Sequence, residues 1–157
     1  GAVPRVTLRG GTVSVTYRGF GWGKRSADLL LNPRVAWRIE IQGGASAVSG
    51  RLEDVDLRGF EVVGGASKLD LSVGRPRGRV PIRIVGGASA LRLATPAGVA
   101  VRSAISGGVG RIEVDGQRLA ARGGNTTLES PGAADAVDRY DVEIAGGAGR
   151  LVIDRRG

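Results

Sequence analysis

A recurring Gly-Gly pair set in alternating apolar sequence constrains this chain more than any other feature. GGAS stands at Gly43, Gly64 and Gly86, and further Gly-Gly pairs stand at Gly10, Gly107, Gly123 and Gly146. From Gly43 to Gly107 the step is 21 or 22 residues; it is 33 from Gly10 to Gly43, 16 from Gly107 to Gly123 and 23 from Gly123 to Gly146. Five residues after the first glycine of each pair stand Val15, Val48, Leu69, Leu91, Ile112, Leu128 and Leu151. Two residues before it stand Leu8, Ile41, Val62, Ile84, Ile105, Ala121 and Ile144, and four before it Val6, Ile39, Phe60, Ile82, Ser103, Leu119 and Val142. Each unit therefore reads as a strand of period-two alternation, a glycine corner and a second alternating strand.

Neither strand of so short a unit buries its inner face alone. Stacking coil on coil solves this, with equivalent residues forming ladders along the axis. The expectation is an all-β fold, a β-solenoid of about six to seven stacked coils with Gly-Gly corners. Glycine suits the corner because a sharp reversal between two faces needs φ above zero, which glycine reaches without steric cost. Ala45, Ala66, Ala88 and Ala148 follow where successive strands, about 4.8 Å apart, leave room for a small side chain. Ser46, Ser67 and Ser89 then stack as a hydroxyl ladder. GGAS as a phosphate cradle is disfavoured, because a phosphate nest is used once and this element recurs in every coil.

A chain of 157 residues is the length of one domain, 1–157, with enough sequence to bury a core. It has no Cys, His or Met, so thiolate and imidazole chemistry are absent and no metal or cofactor site is read from it. The missing thiols leave the compartment open. No run reaches the roughly 18 to 20 apolar residues of a membrane span, and the start does not read as a leader, so the chain as given is expected to be soluble. Net charge is +8.

The stretches WRIEIQGGASAV, FEVVGGASKLDLS, VPIRIVGGASALRLATPAGVAVRSAISGGVGRIEVDG and YDVEIAGGAGRLVID cover most of positions 37 to 154. In them the chain resembles the toastrack-type and putative-adhesin β-solenoid domains of bacterial envelope proteins, including the C-terminal domains of envelope-stress regulators. The resemblance implies a right-handed, single-stranded β-helix-like stack with scaffolding, sensing or adhesive roles at the cell envelope. It supplies no catalytic residues, and a cytoplasmic site is the alternative.

Two places break the spacing. The surplus between Gly10 and Gly43 falls in RGFGWGKRSADLLLNP, residues 18–33, an inserted loop or N-terminal cap element. Its SADLLLNP portion is compatible with a short helical turn capped by Ser26. Arg18, Phe20, Trp22, Lys24 and Arg25 form the candidate partner-binding loop, since exposed aromatics beside cations suit a glycan or an acidic protein surface. The preferred alternative folds these aromatics over the open end of the stack. Around Gly123, residues 123–140 read as an irregular coil followed by a surface loop.

The chemical motifs fall away on inspection. GFGWGKRS lacks the first glycine and the Ser or Thr of a phosphate-binding loop, and no βαβ unit surrounds it. GGASKLDLS departs from the calcium-binding nonapeptide in both aspartate position and period. Glu53, Asp54 and Asp56 form the dense acidic group, and coil register sets them beside Arg75, Arg77 and Arg79, which points to mutual neutralisation. The outward columns Ser49, Asp70, Arg92, Glu113, Glu129, Val152 and Glu40, Glu61, Arg83, Ala104, Ala120, Glu143 are mixed in sign, so no phosphate track for sequence-specific nucleic-acid binding is expected. Weak contact with anionic polymers or lipid head groups remains compatible with the net charge. The reading is a noncatalytic bacterial scaffold or interaction domain with a protein or glycan partner. A carbohydrate-active β-helix enzyme and a filament subunit self-associating through its solenoid ends are the alternatives.

Overall fold

The computed structural model describes residues 4–17, 28–121 and 123–156. They fall into two compact units, Gly1–Leu31 and Asn32–Gly157.

In the first unit β1 (Pro4–Arg9) and β2 (Thr12–Tyr17) form an antiparallel hairpin. Gly10 and Gly11 are its two-residue turn, with φ of 54° and 78°, the pair of positive values that such a turn requires. Val6 pairs with Val15 and Leu8 with Val13, so the first Gly-Gly pair is a hairpin turn and not a coil corner. A two-residue turn leaves the strands hydrogen-bonded to each other; a corner sends them into different sheets. Residues 28–35 contain neither helix nor strand, so the described part of 26–33 does not form the expected short helical turn; its expected cap, Ser26, lies outside the described residues.

The second unit is built from β3 (Ala36–Gln42), β4 (Ala45–Leu52), β5 (Asp56–Val63), β6 (Ala66–Val73), β7 (Arg79–Val85), β8 (Ala88–Pro96), β9 (Ala100–Ile105), β10 (Val109–Val114), β11 (Gln117–Leu119), β12 (Thr126–Glu129), β13 (Arg139–Ala145) and β14 (Ala148–Arg156). One sheet has the order β12-β9-β13-β7-β5-β3 and the other β11-β10-β14-β8-β6-β4. Five Gly-Gly corners join a strand of the first sheet to a strand of the second: β3 to β4, β5 to β6, β7 to β8, β9 to β10 and β13 to β14. The fold is all-β, without a helix among the described residues.

The ladders follow the register read from the repeats. Val48, Leu69, Leu91, Leu151 and Ile112 pair in succession across one sheet. Ile41, Val62, Ile84, Ile144 and Ile105 do so across the other. Val62, Ile84, Ile144 and Leu151 are completely buried, so this apolar ladder is the core. Burial of one such side chain stabilises the fold by about 1.5–3 kcal/mol.

Two features differ from sequential stacking. The last pair, β13 with β14, is inserted between β7–β8 and β9–β10. Asp115 and Gly116, with φ of 51° and 79°, reverse the chain, so that β11 runs antiparallel to β10. Gly123 and Gly124 then carry it across to β12, antiparallel to β9. Leu128 consequently pairs with Ser103, not with the Ile112 and Leu151 column. The expected six to seven coils are thus five corner-joined pairs plus one reversed pair, and both sheets are mixed.

The corners show why glycine recurs. Gly87 has φ of 81°, and a Cβ placed there would sit 2.9 Å from the Gly147 carbonyl oxygen of the neighbouring coil. From each corner an alanine N–H donates to the next: Ala45 to Gly65 O at 3.1 Å, Ala66 to Gly87 O at 3.1 Å, Ala88 to Gly147 O at 3.1 Å and Ala148 to Gly108 O at 3.0 Å.

Candidate interaction surfaces

The corner ladder opens outward as a trough of about 1170 Å³, floored by glycine and alanine and edged by Ser46, Ser67 and Ser89. The serines are exposed and in line, as the repeat implied. The ladder then changes chemistry, because Gly149 and Gly110 occupy the next two positions. A Cβ at Gly149 would lie 2.6 Å from the Ser89 carbonyl oxygen, and one at Gly110 2.8 Å from that of Gly149. The inserted coil packs too closely there for a side chain.

On the sheet faces, cations are held between carboxylates of neighbouring coils. Arg83 of β7 lies 3.7 Å from Glu61 of β5 and 3.8 Å from Glu143 of β13. Arg92 of β8 lies 3.4 Å from Asp70 of β6 and 3.2 Å from Asp154 of β14. In chain order these columns read only as mixed in sign; in space each arginine bridges two coils. Further pairs join Arg102 to Glu129 at 2.9 Å and Arg150 to Glu113 at 3.4 Å. Each exposed pair contributes about 0–1 kcal/mol, so their weight is in matching neighbours more than in stability.

The acidic turn and the basic turn meet only in part. Arg77 stands 4.0 Å from Asp56, whose nearer partner is Arg58 at 3.0 Å on the same strand. Arg75 instead donates to the Ala97 carbonyl at 3.3 Å. Among the described residues no three carboxylates gather as a metal site.

Repeat reading missed the polar anchors of the inserted coil. The buried Arg139 donates from Nε to Asp141 at 2.8 Å and from a terminal nitrogen to the carbonyls of Ala133 and Ala134 at 2.8 and 3.0 Å, fastening the preceding loop. The Tyr140 hydroxyl donates to the Gly74 carbonyl at 2.7 Å, and burial pushes its phenol pKa up. A signal existed: Tyr140 lies six residues before its glycine pair, the column that also holds Trp37, Val80 and Val101. Ser103 occupies an otherwise apolar column and is fully buried, its hydroxyl without a partner among the described residues.

At the reversed strands a smaller hollow of about 360 Å³ has Val101, Leu119, Leu128 and Ile153 among its walls. Asp115 and Arg155 stand at its edge. Arg155 donates from its backbone N–H and Nε to Asp115 at 2.9 Å each, and a terminal guanidinium nitrogen makes a further contact. The guanidinium holds the Asp115 carboxyl below the usual carboxylate range, against a smaller desolvation effect. The arrangement closes the charges of Asp115 and Arg155 on each other. Arg18, Phe20, Trp22, Lys24 and Arg25 lie outside the described residues.

No protein-family model matches the chain, and no curated protein matches it. In fold it is similar to the crystal structure of a putative cell adhesion protein from Clostridium sporogenes, with a TM-score of 0.65 over 98% of this chain and 76% of that one, at 16% identity. At that identity the likeness is one of fold.

Proposed function

We propose that this chain is a noncatalytic interaction module of a bacterial cell surface, serving adhesion or envelope scaffolding. The observation that carries the reading is the fold likeness to a putative cell adhesion protein across nearly the whole chain. The cross-coil pairing of Arg83 and Arg92 supports it from the chemistry, since charges neutralised in ladders are poorly placed for acid–base work. On the same reading the first three corner-joined pairs, β3 to β8, which stack in chain order, are turns of a right-handed, single-stranded solenoid. The candidate contact is Arg18, Phe20, Trp22, Lys24 and Arg25, whose aromatic and cationic side chains suit a glycan or an acidic protein, with a cap over the stack as the competing role for Phe20 and Trp22. The net charge of +8 adds a salt-dependent attraction to anionic wall polymers or lipid head groups.

The test measures binding of the full chain to purified wall polysaccharide and to intact bacterial cells, with sugar release followed in parallel. Saturable binding without release is the expected result. Replacing Phe20 and Trp22 together with Ala should abolish binding and leave the urea midpoint unchanged. Release of reducing sugar would favour the carbohydrate-active enzyme instead. A collapsed urea midpoint in the double variant would mark these aromatics as a cap.

A further inference from the structure

The two ends of the coil stack are finished differently. At one end the sheets stop at β11 and β12, strands of three and four residues that run against their neighbours. Short, reversed edges of this kind discourage further strand addition. At the other end both sheets stop at β3 and β4, of seven and eight residues, each paired on one side only among the described residues. Ile39, Ile41 and Val48 are half-buried there, although Val62, Ile84 and Ile144 of the same ladders are completely buried.

Charge at this end is also incomplete. Glu40 pairs in register with Glu61, a like-charge neighbour whose own cation is Arg83. No cation lies within 4 Å of Glu40 among the described residues; its carboxylate accepts only from Gln42 Nε2 at 2.5 Å. Arg38, on the same outward row, lies against Gly59 and forms no ion pair among the described residues. An incoming strand that set an arginine against Glu40 and a carboxylate against Arg38 would complete both.

The same strand from a second copy does this. We propose that two copies of the chain join through the free edges of β3 and β4 in this unit as a closed, two-fold dimer, β3 against β3 and β4 against β4, with both sheets continuing across the interface. Antiparallel pairing centred on Ile39 sets Arg38 opposite the partner's Glu40 and Glu40 opposite the partner's Arg38. It also sets Trp37 opposite the partner's Ile41, an aromatic against a β-branched side chain. Ile39 lies four residues before the first corner glycine and Val48 five after it, so one axis normal to the sheets serves both strands. Along β4 it centres on Val48 and sets Arg51 opposite the partner's Ala45, without a charge clash. Association closes at two copies because each copy offers the surface once. This inference goes beyond the adhesion reading and does not rest on it.

Sedimentation equilibrium of the full chain across micromolar concentrations tests it. The wild type should show a monomer–dimer equilibrium. Arg38→Glu and Glu40→Arg should each weaken the dimer at least about tenfold, through like charges set face to face. The combined Arg38→Glu, Glu40→Arg variant should restore most of the loss, because each new charge again meets its opposite. The chain has no cysteine of its own, so a second reading is clean. Ile39→Cys should form a disulfide dimer on oxidation, since paired strands bring Cα atoms within disulfide range. Gln42→Cys, displaced from its own symmetry mate along the strand, should stay uncrosslinked. A monomer at every concentration, open-ended polymers, or a combined swap no better than the single variants would each overturn the proposal, as would equal crosslinking at both cysteines.

Discussion

The coil formed by β13 and β14 and the coil formed by β3 and β4 carry nearly the same motif, yet they stand in different physical situations. YDVEIAGGAG comes last in the sequence and lies inside the stack, with a coil on either side. WRIEIQGGAS comes first in the unit and lies at its end, with one neighbour. Ile144 and Ile41 hold the same ladder position; the first is fully buried and the second half-buried. In a repeat stack, burial is conferred by neighbours and not by a strand's own sequence. Local motif strength therefore says little about which coil is most firmly held.

The sharpest test of that contrast replaces the same residue type in the same column. Ile144→Ala should cost about 2–5 kcal/mol, the range for a large-to-small change in a packed core, and Ile41→Ala about half as much in urea unfolding of the monomer. Equal losses would break the contrast. The corners give a second comparison at lower cost. Gly43 and Gly87 both have positive φ, 88° and 81°, but a Cβ at Gly43 meets nothing within 4 Å whereas one at Gly87 meets the Gly147 carbonyl oxygen. Gly43→Ala should lose about 1 kcal/mol from backbone strain alone, and Gly87→Ala about 1–3 kcal/mol, read as urea midpoints.

The inserted coil is also held by a long-range polar anchor at Tyr140, whereas Trp37, in the same column of the end coil, donates to the nearby Asn32 carbonyl at 2.9 Å. Tyr140→Phe removes the hydrogen bond to the Gly74 carbonyl and should destabilise by about 1 kcal/mol, with unchanged circular dichroism. The smallest effect is expected at Asp115, beside the inserted coil's C-terminal Arg155. Its folded pKa lies below the unfolded value, so its contribution is fully present above the unfolded value and disappears as pH falls through the folded one. Asp115→Asn tolerates the positive φ and should flatten the fall of melting temperature as pH drops below about 4, leaving the neutral-pH melting temperature slightly lower.

Strand positions, the corner glycines and the inward columns were legible because period-two alternation and a need for φ above zero are local properties. The ladder from Val48 through Leu69 to Leu91 could be written down from spacing alone, and the Ser46, Ser67 and Ser89 row with it. Gly10 and Gly123 show where that logic ends. Both carry the columns of a corner, but one closes a hairpin and the other follows a reversal at Asp115 and Gly116. A Gly-Gly pair permits either turn; which one forms depends on what the flanking strands pair with. Candidate contact residues were less legible. The aromatics and cations of 18–25 stand out by composition, whereas Arg38 and Glu40 gain meaning only once β3 is known to be an end strand.

By itself the sequence determined the unit of construction: two alternating strands, a glycine corner between them, and the residues that face inward. Tertiary structure alone decided the order of assembly, placing the last coil between the third and the fourth. The reason is that apolar ladder positions are interchangeable. Ile84 packs as well on Ile144 as it would on Ile105, so the columns define register without naming a neighbour. Neighbour choice falls to contacts far apart in the chain. Arg83 meets Glu143, Arg92 meets Asp154, and Tyr140 reaches the carbonyl of Gly74, and none of these pairings is visible until the backbone has brought the coils together.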